Sequence, residues 1–310
     1  MNILISYHYL QEPFREFIRL TGEHSNRFMM DSGAFSAFTL GKEISLGKYI
    51  GCLRNLSPYL YKYIMLDVLG DKEATKKNLA VMRKHGTNPM PVWTVDGTKE
   101  DLQEMMADPM ADSMCVAGGV RGPKWAGPRI ETARNLFPEA FIHCLAFTDN
   151  AFIRTSVDSI DSSTFGTASR FGAFATFIPG RGLSPQIRHK DIRKKDFSDA
   201  PVYLKQALID AAVPSSFIET QSGAYSTLSV LFVSAWFEMA LFAKAHGKRL
   251  FFACSGISDI QMLAVVAANK HGRKIDWFQL KKDVALVKEM SLAEFAEYQA
   301  AASEHIGLFW

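Results

Sequence analysis

The chain has little that would tie it to a disulfide scaffold, a zinc site or a membrane. Its four cysteines, Cys52, Cys115, Cys144 and Cys254, are far apart and show none of the close pairs of a zinc knuckle or a bridged framework. They read as reduced, structural cysteines of a cytosolic protein. No basic leader precedes the opening MNILISYHYL, whose apolar run is too short for a secretory signal. The longest apolar stretch, residues 228–243, is broken by Glu238 and falls short of a comfortable membrane span, so it reads as a buried helix. Glycine is missing where a dinucleotide fold needs it, because the first apolar strand runs into SYHYLQEP. The excess of positive over negative charge is small as well: a formal net charge of +3 over 310 residues does not by itself imply a polyanionic partner. No internal repeat and no low-complexity tract breaks the chain.

What is present is a core. The chain is long enough for one large α/β domain or two small ones, and hydrophobic residues, 48% of it, provide for a sizeable core. The basic residues are unevenly placed: 166–200 holds seven Lys and Arg against three Asp and Glu, which leaves the remainder of the chain slightly acidic.

Apolar runs and helical spacings alternate along the first half. Strands are expected over 2–7, 28–31, 63–67, 91–95, 113–117, 141–146 and 156–160, with helices over 12–20, 48–56, 72–85, 99–107 and 129–136. After residue 161 the rhythm breaks. The segment 166–200, rich in Gly, Pro, Phe and basic residues, reads as an insertion, followed by helices over 203–211 and 226–246. An eighth strand over 249–254, a helix over 258–269 and a last helix over 292–302 follow, with Phe309 and Trp310 packing back on the body.

This alternation favours a doubly wound sheet or a (β/α)8 barrel. The barrel is preferred because Asp31, Asp67, the pair Gly118-Gly119 and Asp161 all fall at C-terminal strand ends, where a barrel gathers its loops around one mouth. The expected organisation is a single TIM-type (β/α)8 domain over 1–310, with the basic insertion 166–200 between strands 7 and 8. In FMMDSGAFSAF, residues 28–38, the strand stops on Asp31, and Ser32, Gly33 and Ala34 leave room for a ligand to approach the backbone, with Phe35 as a stacking partner. Taken alone, Asp31 is equally an N-cap of the next segment.

DSGAF at 31–35, LD at 66–67, GGVRG at 118–122, HCLAF at 143–147 and SVDSIDSS at 156–163 stand in the order and spacing of one family. Together with the closing strand they cover roughly half the chain. In these motifs the sequence resembles the tRNA-guanine transglycosylase superfamily, and its DSGAFS and IDSS wording, short length and missing zinc motif resemble the phage and bacterial DNA 7-deazaguanine transglycosylases most. The resemblance implies exchange of guanine in a polynucleotide for a 7-deazaguanine through a covalent enzyme–sugar intermediate, without organic cofactor or metal. It implies DNA as the partner, with tRNA as the alternative, a cytoplasmic location and, as is common among relatives, a homodimer.

Carried over by position, the resemblance makes Asp161 the nucleophile on the anomeric carbon and Asp31 the acid and then base toward the departing and incoming bases. A displacement through an oxocarbenium-like transition state needs such a pair. Asp67 matches the acid that reads the guanine edge, Phe35 the stacking aromatic, and Ser32, Gly118 and Gly119 the surroundings of the base. Asp158 also precedes the nucleophile and is either a brace or a loop residue. The family's glutamine beside the base has no match in PVWTVDG, where Thr94 or Asp96 stands nearby.

In the insertion, Arg170, Arg181, Arg188, Lys190, Arg193, Lys194 and Lys195 are candidate phosphate contacts, and Phe171, Phe174 and Phe177 candidate stacking or wedging residues. The plain alternative is a solvated basic loop over a small aromatic core. Two other readings compete. A metal-dependent barrel hydrolase would use His8 and His143, but position 6 is Ser where a His-x-His pair is needed. A non-catalytic nucleic-acid-binding subunit would have no use for both Asp31 and Asp161.

Overall fold

The computed structural model describes residues 1–21, 27–188, 202–218 and 224–307. Eight strands form one parallel sheet: β1 (Asn2–Ser6), β2 (Arg27–Asp31), β3 (Leu60–Tyr63), β4 (Val92–Trp93), β5 (Ser113–Val116), β6 (Phe141–Cys144), β7 (Ser159–Ser162) and a last strand, Arg249–Cys254. Their order across the sheet is β3, β2, β1, Arg249–Cys254, β7, β6, β5, β4. Among these strands, each lies beside its neighbours in chain order except β3 and β4, and a single parallel bridge between Ile64 and Met90 joins the segments that follow the one and precede the other. The architecture is thus mixed α/β, with the parallel sheet curled as a half-barrel.

The sequence explains the sheet directly. Ile3, Ile5, Phe28, Met29 and Met30 lie in strands covered on both faces, the pattern of a buried parallel sheet. Burying side chains of this size contributes about 1.5–3 kcal/mol each before the cost of ordering them. Six helices alternate with the strands: α1 (Glu12–Thr21), α2 (Ala34–Thr39), α3 (Leu46–Leu56), α4 (Lys72–Lys84), α5 (Lys99–Met106) and α6 (Pro123–Leu136). The spacing of Phe14, Phe17 and Ile18 puts one buried stripe on α1, and Ile50, Leu53 and Leu56 do the same on α3. Side chains stop the helices at their starts. Ser45 accepts from the Lys48 amide, Asp71 from that of Ala74, and Thr98 and Asp101 form a reciprocal capping box.

By contacts the chain divides into two compact units, where the sequence suggested one domain with a short insertion. The first holds Met1–Ser162 and His246–Gly256, and therefore the whole parallel sheet. The second holds Ser163–Ala245 and Ile257–Trp310. It is built on α7 (Thr167–Phe171), α8 (Val202–Asp210), α9 (Ser215–Ile218), α10 (Thr227–Ala245), α11 (Ile257–Ala268), α12 (Trp277–Glu289) and α13 (Leu292–His305). Helix α10 is long and apolar enough to cross a membrane by composition, and 72% of its most apolar window is buried inside the protein. Within the expected insertion, Ala173–Phe174 pairs antiparallel with Ile187–Arg188, and Phe177–Ile178 with Gly182–Leu183.

Several boundaries differ from the sequence reading. The strand expected over 63–67 is Leu60–Tyr63; the Ile64 and Met65 amides still donate to the Met30 and Met90 carbonyls, and from Leu66 the chain is held by α4, where Asn78 Nδ2 donates to the Leu66 carbonyl and Thr75 Oγ1 accepts from the Val68 amide. β7 is Ser159–Ser162 rather than 156–160, because Ser156 is fixed outside the sheet, its amide and hydroxyl both donating to Glu131. Helix α6 begins at Pro123 instead of residue 129 and carries Pro128 inside it. Helices α2, α7, α9 and α12 have no counterpart in the sequence reading.

Candidate active site

Three carboxylates interact in the first unit: Asp31 at the end of β2, Asp67 in the segment after β3, and Asp161 within β7. Asp31 closes β2, and its backbone turns sharply: Gly33 sits at φ 77°, and a Cβ there would lie 2.4 Å from Ser6 Oγ and 2.6 Å from His8 Cβ. Only glycine fits that conformation and that space. The turn brings the Gly33 amide to Asp31 Oδ2 at 3.0 Å. The carboxylate of Asp31, a partly buried residue, thus closes the turn that leads into α2 and does not cap the helix amides themselves.

Asp31 is pushed up to about 7, first by burial, then by the charges of Asp67 and Asp161, against hydrogen bonds from the Gly33 and Ser32 amides. Asp67 is pushed up to about 6 by burial, opposed by its own amide and by the Ser32 hydroxyl. Ser32 is fully buried, donates to Asp67 and accepts from the Ala34 amide at 3.2 Å. Expected beside a base, Ser32 instead acts through Asp67. Asp67 itself stands in the segment after β3, not at a strand end.

Asp161, the third residue of β7, is 8% exposed. Its Oδ1 accepts from the Ala146 amide at 2.8 Å and lies 3.2 Å from His143 Nε2. His143, on β6 and without accessible surface, has its Nδ1 2.8 Å from Ser159 Oγ. Register explains the grouping: His143 and Ser159 are paired across β6 and β7, and residues two apart on a strand share a face, so Ser159 and Asp161 both meet the one imidazole. The Phe251 ring packs edge-on against it, with centroids 5.9 Å apart.

Ala146 takes φ 55°, an unfavourable conformation for a residue with a Cβ. The turn that holds it there is tied at both sides: Leu145 donates its amide to Val116 at 3.0 Å, and its carbonyl accepts from Gly119 at 3.1 Å. A Cβ at Gly119 would sit 2.4 Å from that carbonyl. This corrects the expected role of Gly119, whose amide is engaged inside the protein rather than turned to a base. Its contribution is to let two loops meet, so that the Ala146 amide reaches Asp161. Gly118, at φ 88°, packs against the Trp125 ring.

Thr94 is buried after β4, and its carbonyl accepts from Arg129 at 2.6 Å. The Arg129 guanidinium stacks 3.6 Å from the Trp93 ring centroid and 4.8 Å from that of Trp125, and burial pushes it down to about 10. Phe35, in the first turn of α2, is 69% exposed, as a residue free to stack on a flat ligand would be. Asp158 is engaged elsewhere, accepting from Arg134 at 2.6 Å and from the Ile142 amide at 2.7 Å, which makes it a strap between α6, β6 and β7.

In the second unit Arg170 is exposed, 4.0 Å from Asp259, and Arg181 is exposed. Arg188 lies in the strand Ile187–Arg188. Lys190, Arg193, Lys194, Lys195, Phe309 and Trp310 lie outside the described residues. Of the three expected stacking rings, Phe171 is exposed, Phe174 is a fully buried core residue, and Phe177 is half-buried with its ring packed against Phe242 at 5.8 Å.

Three residues that matter here were missed as site components. His143 was weighed only as a metal ligand, but both of its nitrogens already face Ser159 and Asp161. Ala146 carried no sequence signal. Cys115 is buried on β5, its thiol pushed up by burial and by the charges of Asp31, Asp161 and Asp67. Among the described residues, no group of three or more His, Cys, Asp or Glu is placed to hold a metal ion. No protein-family model matches the chain, and no curated protein matches it.

Proposed function

We propose that the chain is a guanine transglycosylase that exchanges guanine in DNA for a 7-deazaguanine by two displacements on the sugar, in a (β/α)8 barrel whose seam is the Ile64–Met90 bridge. The observation that carries this reading is the unequal treatment of two nearby carboxylates. Asp31 holds its proton to about pH 7, as an acid and base working near neutrality must. Asp161 is anchored by two groups facing one oxygen, as a positioned nucleophile must be.

In the first displacement an Asp161 oxygen bonds to the anomeric carbon as the bond to guanine breaks, and the Asp31 proton passes to the departing base. In the second, the incoming deazaguanine gives its ring N–H proton to Asp31 as its nitrogen bonds to the anomeric carbon, and the sugar–Asp161 bond breaks. Two inversions restore the starting configuration. Asp67, with Ser32 fixing it, would accept hydrogen bonds from the amino and ring N–H groups of the base, and exposed Phe35 would stack on it. Basic residues of the second unit, Arg170, Arg181 and Arg188 among them, are candidates for holding phosphate, and the reaction belongs in the cytoplasm with the nucleic acid.

The test is incorporation of labelled 7-deazaguanine into matched DNA and tRNA, with Asp161→Asn as control. Label in DNA that disappears in the variant supports the reading. Label in tRNA alone keeps the chemistry and moves the substrate. Absence of label in both rejects the transglycosylase assignment.

A further inference from the structure

We infer that His143 is a positioning residue that assigns the two oxygens of Asp161 different tasks and assists the second displacement more than the first; this rests on the transglycosylase reading. Asp161 Oδ1 faces two groups, the Ala146 amide at 2.8 Å and His143 Nε2 at 3.2 Å. A carboxylate only accepts, so Nε2 must carry the proton toward it. In a neutral ring Nδ1 is then bare and accepts from the Ser159 hydroxyl at 2.8 Å. The chain of donors runs one way, from Ser159 to His143 to Asp161. With Oδ1 doubly occupied, Oδ2 is the oxygen that attacks.

The consequence for the two steps is asymmetric. In the first, charge leaves the carboxylate as Oδ2 bonds to the anomeric carbon, and Oδ1 becomes the carbonyl oxygen of an ester. The hydrogen bonds from His143 and Ala146 weaken as this happens. In the second, the electron pair of the C–Oδ2 bond returns to Asp161, and negative charge reappears on Oδ1 in front of two preorganised donors. Donors aimed at developing charge in a site shielded from water lower that barrier, as an oxyanion hole does. Here the enzyme's own carboxylate is the leaving group they stabilise. The strained turn at Ala146 and the close approach of Gly119 serve the same oxygen.

The experiment is a rapid-quench time course on the full chain with a guanine-containing oligonucleotide and a 7-deazaguanine base, in which intact mass reads the fraction of enzyme covalently attached to nucleic acid. His143→Met removes the donor and keeps an apolar filler of similar length. It is expected to slow release of the adduct roughly 10- to 100-fold with a smaller effect on its formation, so that adduct accumulates. His143→Gln, whose side-chain amide restores an N–H, is expected to recover most of the release rate. Ser159→Ala, which leaves Nε2–H in place, should lose less than His143→Met.

Equal slowing of both steps, or no accumulation in a His143→Met enzyme that still turns over, would reduce His143 to a packing residue. Nitrogen-15 NMR of the wild-type imidazole gives an arm independent of turnover. A proton on Nε2 and a bare Nδ1 are expected, and the opposite tautomer overturns the inference even if His143→Met fails to fold. If wild-type enzyme forms neither adduct nor exchanged product, the transglycosylase reading itself has failed, which is a different result from an active enzyme whose His143 variants show no asymmetry.

Discussion

Asp31 ends β2 and Asp161 belongs to β7, strands separated in the sheet by β1 and Arg249–Cys254, and the protein treats the two acids in opposite ways. Asp31 sits on a glycine turn, accepts backbone amides, and faces the charges of two other acids. Asp161 lies within a strand, with an imidazole and an amide converging on one oxygen. The first arrangement favours holding a proton; the second favours holding a geometry. Neither follows from the amino acid type, which is the same. Each follows from the strand and turn on which the aspartate is placed.

The comparison can be broken most severely at Asp161. Asp161→Asn keeps the hydrogen-bonding shape and removes the nucleophilic charge; exchange should fall by at least about 10⁴-fold while base binding, read by calorimetry, stays near wild type. Normal turnover in that variant would remove Asp161 from the chemistry. Asp31→Asn removes the proton carrier instead. The expected loss is about 10²- to 10⁴-fold, with disappearance of the limb of the pH–rate profile near 7. A variant that kept that limb would show that another group supplies it.

Gly119→Ala attacks the support of Asp161 at a distance. Its Cβ would press on the Leu145 carbonyl and displace the turn that presents Ala146. Overpacking of this kind costs about 1–3 kcal/mol of stability, and the misplaced amide is expected to lower exchange by up to roughly 100-fold. Unchanged activity would mean that the turn does not govern the nucleophile. Asp67→Ala leaves both reacting carboxylates in place, although it removes one of the charges that push Asp31 up, and should weaken base affinity about 10- to 100-fold with loss of guanine selectivity, measured as Kd for guanine against adenine.

The smallest effect sharpens the contrast by stability alone. Because the folded value for Asp31, about 7, lies above the ordinary value of 3.8, the folded protein binds this proton more tightly than the unfolded chain does. Stability from this group is therefore full below pH 4 and is lost as pH rises through 7. Asp31→Asn, neutral throughout, should be more stable than wild type at pH 8 by on the order of 2–4 kcal/mol, with the advantage shrinking toward pH 4. Denaturant melts at the two pH values read this, and an advantage independent of pH would contradict the assigned proton affinity.

Much of the sheet was legible because apolar runs such as 2–6, 28–30 and 113–116 are long enough to read as strands buried on both faces. The acid at the end of β2 was legible for the same reason: the run stops there. Asp67 was harder to place, since Leu66 and Val68 continue the apolar pattern although side chains of α4, not a neighbouring strand, hold their backbone. His143 was misread because a histidine in an apolar strand looks alike whether it packs, binds metal or supports a carboxylate. Only the register of β6 against β7 distinguishes these, and register is a long-range property. The second unit was legible least, because its strands between 173 and 188 are two residues each, too short to show a period.

The most direct test of the account is to denature the wild-type enzyme during turnover on a guanine-containing oligonucleotide, digest it, and map the modified peptide by mass. The account predicts a sugar-linked oligonucleotide on Asp161, absent in Asp161→Asn and present on no other residue. An enzyme that exchanges base with no adduct, or with its adduct on Asp31 or Asp67, would contradict the division of labour between the two aspartates.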